Sequence, residues 1–590
     1  MKSLLSGNEA IARGAYEAGI QMAFGYPGTP SSEILENVTD YKEIYSEWST
    51  NEKVAMDAAA GAAYSGRRCM ITTKQSGMNV IPDSLYYAVY TGLEAGLVVV
   101  TADDPGMFSS QNEQDNRYYA KQGKLPILEP ADSQEAKDFM ILAIEISEKF
   151  DTPVIVRTTM RTSHSKSLVE LGQAGEFKGE VGPFPRNPEK YNCMCTWSRI
   201  RHFVVEERLI EMAEFANTLP VNRLERGDKK LGIITSGVTY EYAREVFPEA
   251  TFLKLGMTFP LPAKLIKELA ASVDEVLVIE ELDGFLEEQV KALGVKCRGK
   301  EIFPPCGELL PEDIAKLTAE AGIGSFTPPP VAPEFTGPVP SRAPVLCPGC
   351  PHRASYFFLS KMKVPVAGDI GCYNLGALPP YSAQHTMGSM GASIGLLHGM
   401  SKAGLPEKGF ATIGDSTFFH AGIPPLMNMV HNKSKGTVII MDNGTTAMTG
   451  HQDHPGVGFT LSQGPTRKID IATLCQAIGV PLILKVDPFD MKALESAYKT
   501  CLDYDGLSVL IAEGPCVFVS RSNGPPMKVD SDKCVACGIC EKLGCPALVK
   551  SKELTAKGKS KMAVDPVLCA SCTMCAQVCP QSAISAGVRI

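Results

Sequence analysis

The C-terminal part of the chain carries a duplication that leaves it few ways to fold. Val529-Asp530 followed by Cys534, Cys537 and Cys540 recurs 35 residues on as Val564-Asp565 followed by Cys569, Cys572 and Cys575. Each C-x-x-C-x-x-C triplet has a trailing Cys-Pro, reached after four residues at Cys545-Pro546 and after three at Cys579-Pro580. This is the bacterial two-cluster spacing, in which the fourth cysteine of each run ligates the cluster of the other. Cys534, Cys537, Cys540 and Cys579 are expected to hold one [4Fe-4S] centre, and Cys569, Cys572, Cys575 and Cys545 a second. Four-cysteine zinc sites also use C-x-x-C, but eight cysteines in duplicated triplets make zinc the weaker reading. The extra residue before Cys545 departs from the strict pattern in its local loop. A repeat of paired cysteine clusters implies a compact domain built around cofactors.

The chain as a whole has 19 cysteines in 590 residues. No stretch reaches the roughly 18 to 20 apolar residues of a membrane span. Met1 to Glu9 enters amphipathic sequence without the features of a signal peptide, so the expected location is the cytoplasm. Disulfides are rare there, and cysteine is used for metal or redox work. Apolar residues make up 44% and charged residues 21%, as in globular proteins. Lys plus Arg against Asp plus Glu gives 57 − 66 = −9; with no basic stripe, nucleic acid is not an expected partner.

At about 150 residues per domain the length suggests about four units. Continuous apolar runs such as 96–101, 153–157, 231–235, 275–279, 437–441 and 508–511 alternate with helix-length segments. That alternation indicates parallel sheets covered on both faces, an α/β body. Residues 326–344 hold seven prolines in 19 residues, which suits a linker and neither a strand ladder nor a helix. The expected division is 1–228, irregular after about 163; a smaller α/β domain over 229–325; the linker 326–344; a further α/β domain over 345–523; and, after Gly524-Pro525-Pro526, the cysteine-rich domain 524–590.

Among the remaining eleven cysteines, Cys347 and Cys350 form a C-x-x-C pair in the run Cys347-Pro348-Gly349-Cys350-Pro351-His352-Arg353. Alone, such a pair is a redox dithiol or half a metal site. Cys372 follows Gly371 and Cys516 follows Pro515 in the same domain; four such thiols could meet at one cluster, although spacing does not show it. The other seven read as ordinary thiols.

The run Phe410 to Gly414 ends in Gly414-Asp415-Ser416, and 28 residues after Asp415 a second run ends at Asn443-Gly444-Thr445. A carboxylate and an amide oxygen at the ends of two parallel strands can share Mg²⁺, which takes oxygen ligands and leaves room for phosphate and water. The plain alternative is two turns. This pairing is similar to the thiamine-diphosphate enzyme motif, which usually reads Gly-Asp-Gly and ends Asn-Asn; here Ser416 and Asp442 depart from it. By resemblance, Asp415 and Asn443 give Mg²⁺ side-chain ligands and Thr445 a main-chain carbonyl, with Gly414 and Ser416 beside the cofactor. Gly25 to Glu33 and the helical run after Asn51-Glu52 resemble the pyrimidine-binding domain of the 2-oxoacid:ferredoxin oxidoreductases. Glu52 is then the carboxylate that hydrogen-bonds the cofactor aminopyrimidine and activates it, rather than an acidic residue favoured by a helix start. Gly28 would adjoin the cofactor and Thr29 the substrate.

The full order of segments resembles the α subunits of the indolepyruvate:ferredoxin oxidoreductases over essentially the whole chain. The resemblance implies two thiamine-diphosphate-binding parallel-sheet domains, a middle α/β domain like the transketolase C-terminal one, and a C-terminal α+β two-cluster ferredoxin domain. It also makes Cys347, Cys350, Cys372 and Cys516 a proximal, third [4Fe-4S] centre. His385 and His420 are candidates for the cofactor site, against a merely structural role. The implied reaction is oxidative decarboxylation of an aryl 2-oxo acid, with coenzyme A as acyl acceptor and ferredoxin as electron acceptor. The implied partner is a smaller β subunit in an (αβ)₂ assembly. Alternatives are the same chemistry on phenylpyruvate or a branched-chain 2-oxo acid, a non-redox thiamine decarboxylase or carboligase, and an electron-transfer subunit with a degenerate body.

Overall fold

The computed structural model describes residues 1–177, 181–326, 337, 343–520 and 524–587. The proline-rich linker lies for the most part outside them. The chain divides into two compact units, Met1–Thr336 and Gly337–Ile590.

In the first unit the strands relevant to the site are β1 (Met22–Gly25), β2 (Tyr45–Trp48), β3 (Cys69–Lys74), β4 (Leu97–Asp103), β5 (Ile127–Leu128), β6 (Val154–Thr159), β7 (Arg223–Glu225), β8 (Leu231–Ser236), β9 (Thr251–Leu255), β10 (Met257–Phe259) and β11 (Glu275–Ile279). They form a seven-stranded sheet in the order β10-β5-β6-β4-β3-β1-β2 and a four-stranded sheet in the order β11-β8-β9-β7. The large sheet is parallel except for β10, which runs antiparallel to β5. Its central strands β4 and β6 are buried along their whole length, which is why they read as unbroken apolar runs. The middle sheet begins at Arg223, ahead of residue 229, and the chain passes from its strand β9 into β10 of the first sheet across the single residue Gly256, which joins the two sheets.

The stretch after residue 163 differs from the irregular segment expected. It contains a 22-residue helix, α2 (Cys195–Ala216), as well as a strand Lys166–Glu170 paired antiparallel with Lys2–Ser6; α1 is Glu52–Tyr64. Only Val205, Arg208, Met212 and Ala216 of α2 are buried. A seam that narrow, with a charged residue in it, gives no amphipathic period to read. Arg208 is held there because its Nη1 donates to Val89 O at 2.9 Å.

The second unit has one five-stranded parallel sheet, built from β12 (Val366–Ala367), β13 (Phe410–Gly414), β14 (Gly436–Asp442), β15 (Leu482–Val486) and β16 (Leu507–Glu513), in the order β12-β13-β14-β16-β15. Helix α3 (His352–Met362) packs beside it in a core with Phe410, Ile439 and Tyr498. Residues 524–587 form a small α+β region in which β17 (Met527–Val529) pairs with β20 (Ile584–Ala586), and β18 (Leu548–Leu554) with β19 (Ser560–Val564), all antiparallel. No helix among the described residues is long and apolar enough to cross a membrane.

Candidate functional site

In the second unit, the register that pairs Gly414 with Met441 puts Asp415 and Asp442 at the carboxyl ends of neighbouring strands. This explains why a spacing of 28 residues becomes contact, and it is the edge at which open α/β sheets bind ligands. Asp415 is buried; its carboxylate accepts from Ser416 N at 3.0 Å, Gly444 N at 2.8 Å and the His454 ring Nε2 at 3.1 Å. Burial raises Asp415, but the His454 contact and the other donors outweigh it and hold the carboxyl below its usual range. Asp442 goes the other way: burial and then repulsion from Asp415 push it up to about 7. Of this side-by-side pair, Asp415 keeps the charge.

Asn443 and Thr445 are buried in the same turn, with Asn443 Oδ1 accepting from Thr445 N at 3.3 Å. Ser416 is tied to it by Thr446 Oγ1 at 2.8 Å. The carboxylate, amide and carbonyl oxygens gathered here are the hard donor set Mg²⁺ takes. Gly414 is needed because a Cβ there would stand 2.7 Å from the Tyr373 ring. His420 is buried on a π-helical turn, Phe418–Gly422, just beyond Asp415; such turns are frequent at functional sites. His385 is exposed, and its Nδ1 accepts the Val366 N–H at 3.0 Å, which commits that nitrogen to the backbone. Two residues that no motif flags complete this edge. One is His454, and the other is Asp369, whose carboxylate accepts from Ile370 N, Gly391 N and Ser393 N. Neither sits in a recognisable spacing, so only the fold reveals them.

The C-x-x-C thiols lie at the same edge. Cys516 follows β16, and its N–H donates to Asn443 O at 2.9 Å, so the proposed metal turn and this cysteine are joined directly. Cys372 opens a short helix at the end of β12. Cys347 feels the charge of Cys516, Cys350 that of Cys372 and Cys347, and Cys372 that of Cys347 and Cys516. Cys347 and Cys372 are thus within electrostatic reach of Cys516, and Cys350 of Cys372, and the Cys347–Cys350 loop adjoins the one that carries Cys516, a Cβ at Gly349 standing 3.6 Å from Val517. Burial pushes Cys350 up to about 12 and Cys372 to about 11, a cost that bound metal removes by stabilising the thiolates.

Burial and then the charges of Cys537, Cys579 and Cys534 raise Cys540 to about 11. Burial and then Cys572, Cys569 and Cys545 raise Cys575 to about 12. Cys540 thus feels the trailing cysteine of the second run, and Cys575 that of the first as well as Cys540 itself. Cys545, Cys569, Cys572 and Cys575 line one cavity. Among the described residues no three His, Cys, Asp or Glu side chains converge on one metal-sized point, here or elsewhere.

In the first unit, Glu52 starts α1 after Asn51, whose Oδ1 caps Val54 N at 2.9 Å. Glu52 is 5% exposed. A Cβ at Gly77 would lie 2.6 Å from Glu52 Oε1, so the absent side chain makes room for the carboxylate. Gly28 and half-buried Thr29, which precedes a cis Pro30, follow β1. Gly28 packs on Lys74, with a Cβ there meeting the Lys74 chain at 2.9 Å. Burial lowers Lys74, against the pull of Asp104 and Glu52. Lys74 is thus a half-buried cation against the Gly28 turn, its Nζ donating to Ser109 O at 2.8 Å, and nothing in the sequence singles it out.

Two family models match the chain. Residues 13–198 match the pyruvate flavodoxin/ferredoxin oxidoreductase thiamine-diphosphate-binding family, and residues 369–512 the C-terminal TPP-binding domain of thiamine pyrophosphate enzymes. The indolepyruvate oxidoreductase subunit IorA of Methanothermobacter thermautotrophicus is 41% identical over 99% of this chain and 97% of its own. That of Pyrococcus abyssi is 41% identical over 98% and 96%. The 2-oxoglutarate synthase subunit KorA of Archaeoglobus fulgidus is 26% identical, over 53% of this chain and 97% of its own.

Proposed function

The chain belongs to the indolepyruvate oxidoreductase subunit IorA family, and from that premise we propose a role for each part of its site. It is a thiamine-diphosphate-dependent 2-oxoacid:ferredoxin oxidoreductase subunit, which oxidatively decarboxylates a 2-oxo acid and delivers the electrons to ferredoxin. The substrate is an aryl 2-oxo acid of the indolepyruvate type, the acyl acceptor is coenzyme A, and a β subunit completes an (αβ)₂ enzyme in the cytoplasm. The observation that carries the reading is the full-length identity to IorA subunits. The hydrogen bond from Cys516 N to Asn443 O, which ties the diphosphate turn to an iron ligand, supports it.

Bound thiamine diphosphate supplies the electron sink for decarboxylation. Asp415, Asn443 and the Thr445 carbonyl hold Mg²⁺, with His454 orienting the Asp415 carboxylate, as partners beyond the ligands do at metal sites. Glu52 hydrogen-bonds the aminopyrimidine and holds a proton at its carboxylate. Gly28 lets the backbone approach the cofactor, and Thr29 contacts the substrate. Cys347, Cys350, Cys372 and Cys516 hold the proximal four-iron cluster, and the eight C-terminal cysteines hold two more in a ferredoxin-like domain.

Anaerobic viologen reduction by the reconstituted two-subunit complex tests this. Indolepyruvate with coenzyme A is expected to outpace pyruvate, with about one thiamine diphosphate and about twelve iron atoms per chain. Equal rates with the two 2-oxo acids would sink the aryl assignment, and eight iron atoms would remove the proximal centre.

A further inference from the structure

Arg353 is three residues past Cys350 and is 1% exposed, a costly place for a guanidinium unless its donors are used. Its Nε donates to Cys347 O at 2.8 Å, which fixes the proximal loop. Its Nη1 donates to Leu543 O at 3.0 Å and to the Tyr381 hydroxyl at 3.1 Å, and Leu543 is two residues before Cys545. Nη2 has no hydrogen-bond partner among the described residues. Arg353 also lines the cavity enclosed by Cys545, Cys569, Cys572 and Cys575. The loops themselves touch: Gly349 is in the left-handed region at φ +77°, and a Cβ there would stand 2.6 Å from Ala570 Cβ, between Cys569 and Cys572.

We propose that Arg353 links the proximal site to the Cys545/Cys569/Cys572/Cys575 site, aiming its spare Nη2 N–H at a sulfur of the cluster held there and raising that cluster's reduction potential. This rests on the iron-sulfur reading above. Hydrogen bonds to sulfur and nearby positive charge both favour the reduced, more negative state of a cluster. A planar fork with five fixed donors suits one side chain to brace two loops and still address a third group. Electrons leaving the proximal site then find their favoured acceptor in the cluster nearest Arg353, ahead of the Cys534/Cys537/Cys540/Cys579 cluster. Arg353 is a positioning residue and takes no part in bond making.

The test uses the anaerobic holoenzyme. With ¹⁵N-arginine incorporated, pulsed electron paramagnetic resonance of the reduced wild type is expected to show a weak arginine ¹⁵N coupling at one centre, the one missing in Cys545→Ser. In Arg353→Gln the electron affinity of that centre is expected to fall about tenfold, 59 mV for a one-electron couple; the proximal centre, whose Cys347 and Cys350 also feel the Arg353 charge, is expected to fall by less, and the Cys534/Cys537/Cys540/Cys579 centre to hold. Arg353→Lys is expected to recover part of the shift, because it restores charge without the fork. A full iron complement with no arginine coupling, or an Arg353→Gln enzyme with unmoved potentials, overturns this inference alone. Should Arg353→Gln fail to load iron, the labelled wild type decides. Wild-type enzyme lacking C-terminal iron overturns the cluster reading and this inference with it.

Discussion

Glu52 owes its place to a glycine. The carboxylate occupies space that a Cβ at Gly77 would contest at 2.6 Å, and the same Cβ would collide with Thr73 Oγ1. Gly77→Ala is expected to displace Glu52 and lower turnover at least tenfold in a folded enzyme. Glu52→Gln keeps the shape but removes the proton-holding group, and should cost about 10²- to 10⁴-fold in turnover. Viologen reduction gives the rates, and thiamine diphosphate titration should show binding less affected than turnover. Glu52, Asp415 and Asn443 are legible in the sequence because short motifs carry them. Lys74, Gly77 and His454 are not: their roles come from what lies across the fold from them, and no local spacing records that.

At the scale of elements, the proposed ligation has the two cysteine triplets trade their fourth ligands. Cys575 lies with Cys545, and Cys540 with Cys579. Cys545→Ser is therefore expected to remove the cluster of the second triplet, losing about four of about twelve iron atoms, and Cys579→Ser that of the first; paramagnetic resonance of each variant distinguishes them. Among the described residues this region buries few apolar side chains of its own, chiefly Met527, Cys540, Met562 and Ile584, while Leu543 and Met574 pack into the core of the neighbouring sheet; such a core is too small to fold on apolar burial alone. Iron-free protein should be cut by protease between 524 and 587 well before the first unit, and an equal rate of cutting would contradict this. The repeat could be read because ligand spacing is local. So could the strands at 97–103, 154–159 and 436–442, whose two covered faces leave unbroken apolar runs. Helix α2 was hidden by its narrow buried seam, and β12 by its length of two residues.

At the scale of the molecule, the two sheets of the first unit share a buried ionic network. Arg117 pairs with Asp115 at 2.5 Å and Glu280 at 2.7 Å, and Arg157 with Asp103 at 2.6 Å and Glu129 at 2.7 Å. Thr258 Oγ1 also donates to Glu129, at 2.6 Å. Beside it, burial pushes Glu281 up to about 7, only partly countered by the Leu309 N–H. A carboxyl raised above its unfolded value binds more protons when folded. Stability therefore falls as pH rises from about 4 to about 7 and levels off above that. Glu281→Gln keeps an oxygen for Leu309 N and removes the penalty; the expected gain is roughly 2–3 kcal/mol above pH 7 and near zero at about pH 4. Melting temperatures at the two pH values check it, and a variant no more stable at pH 8 would refute it. The sequence by itself determined the chemical inventory: cysteines in a duplicated two-cluster spacing, an Asp and an Asn at strand ends, and a Glu at a helix start. Those follow from residue type and short-range spacing. Only the tertiary structure decided that the Cys516 N–H meets Asn443 O, that His454 contacts the Asp415 carboxylate, and that Arg353 braces two cysteine loops. Each depends on which strand ends become neighbours in a parallel sheet, and strand order is set by packing across the whole unit.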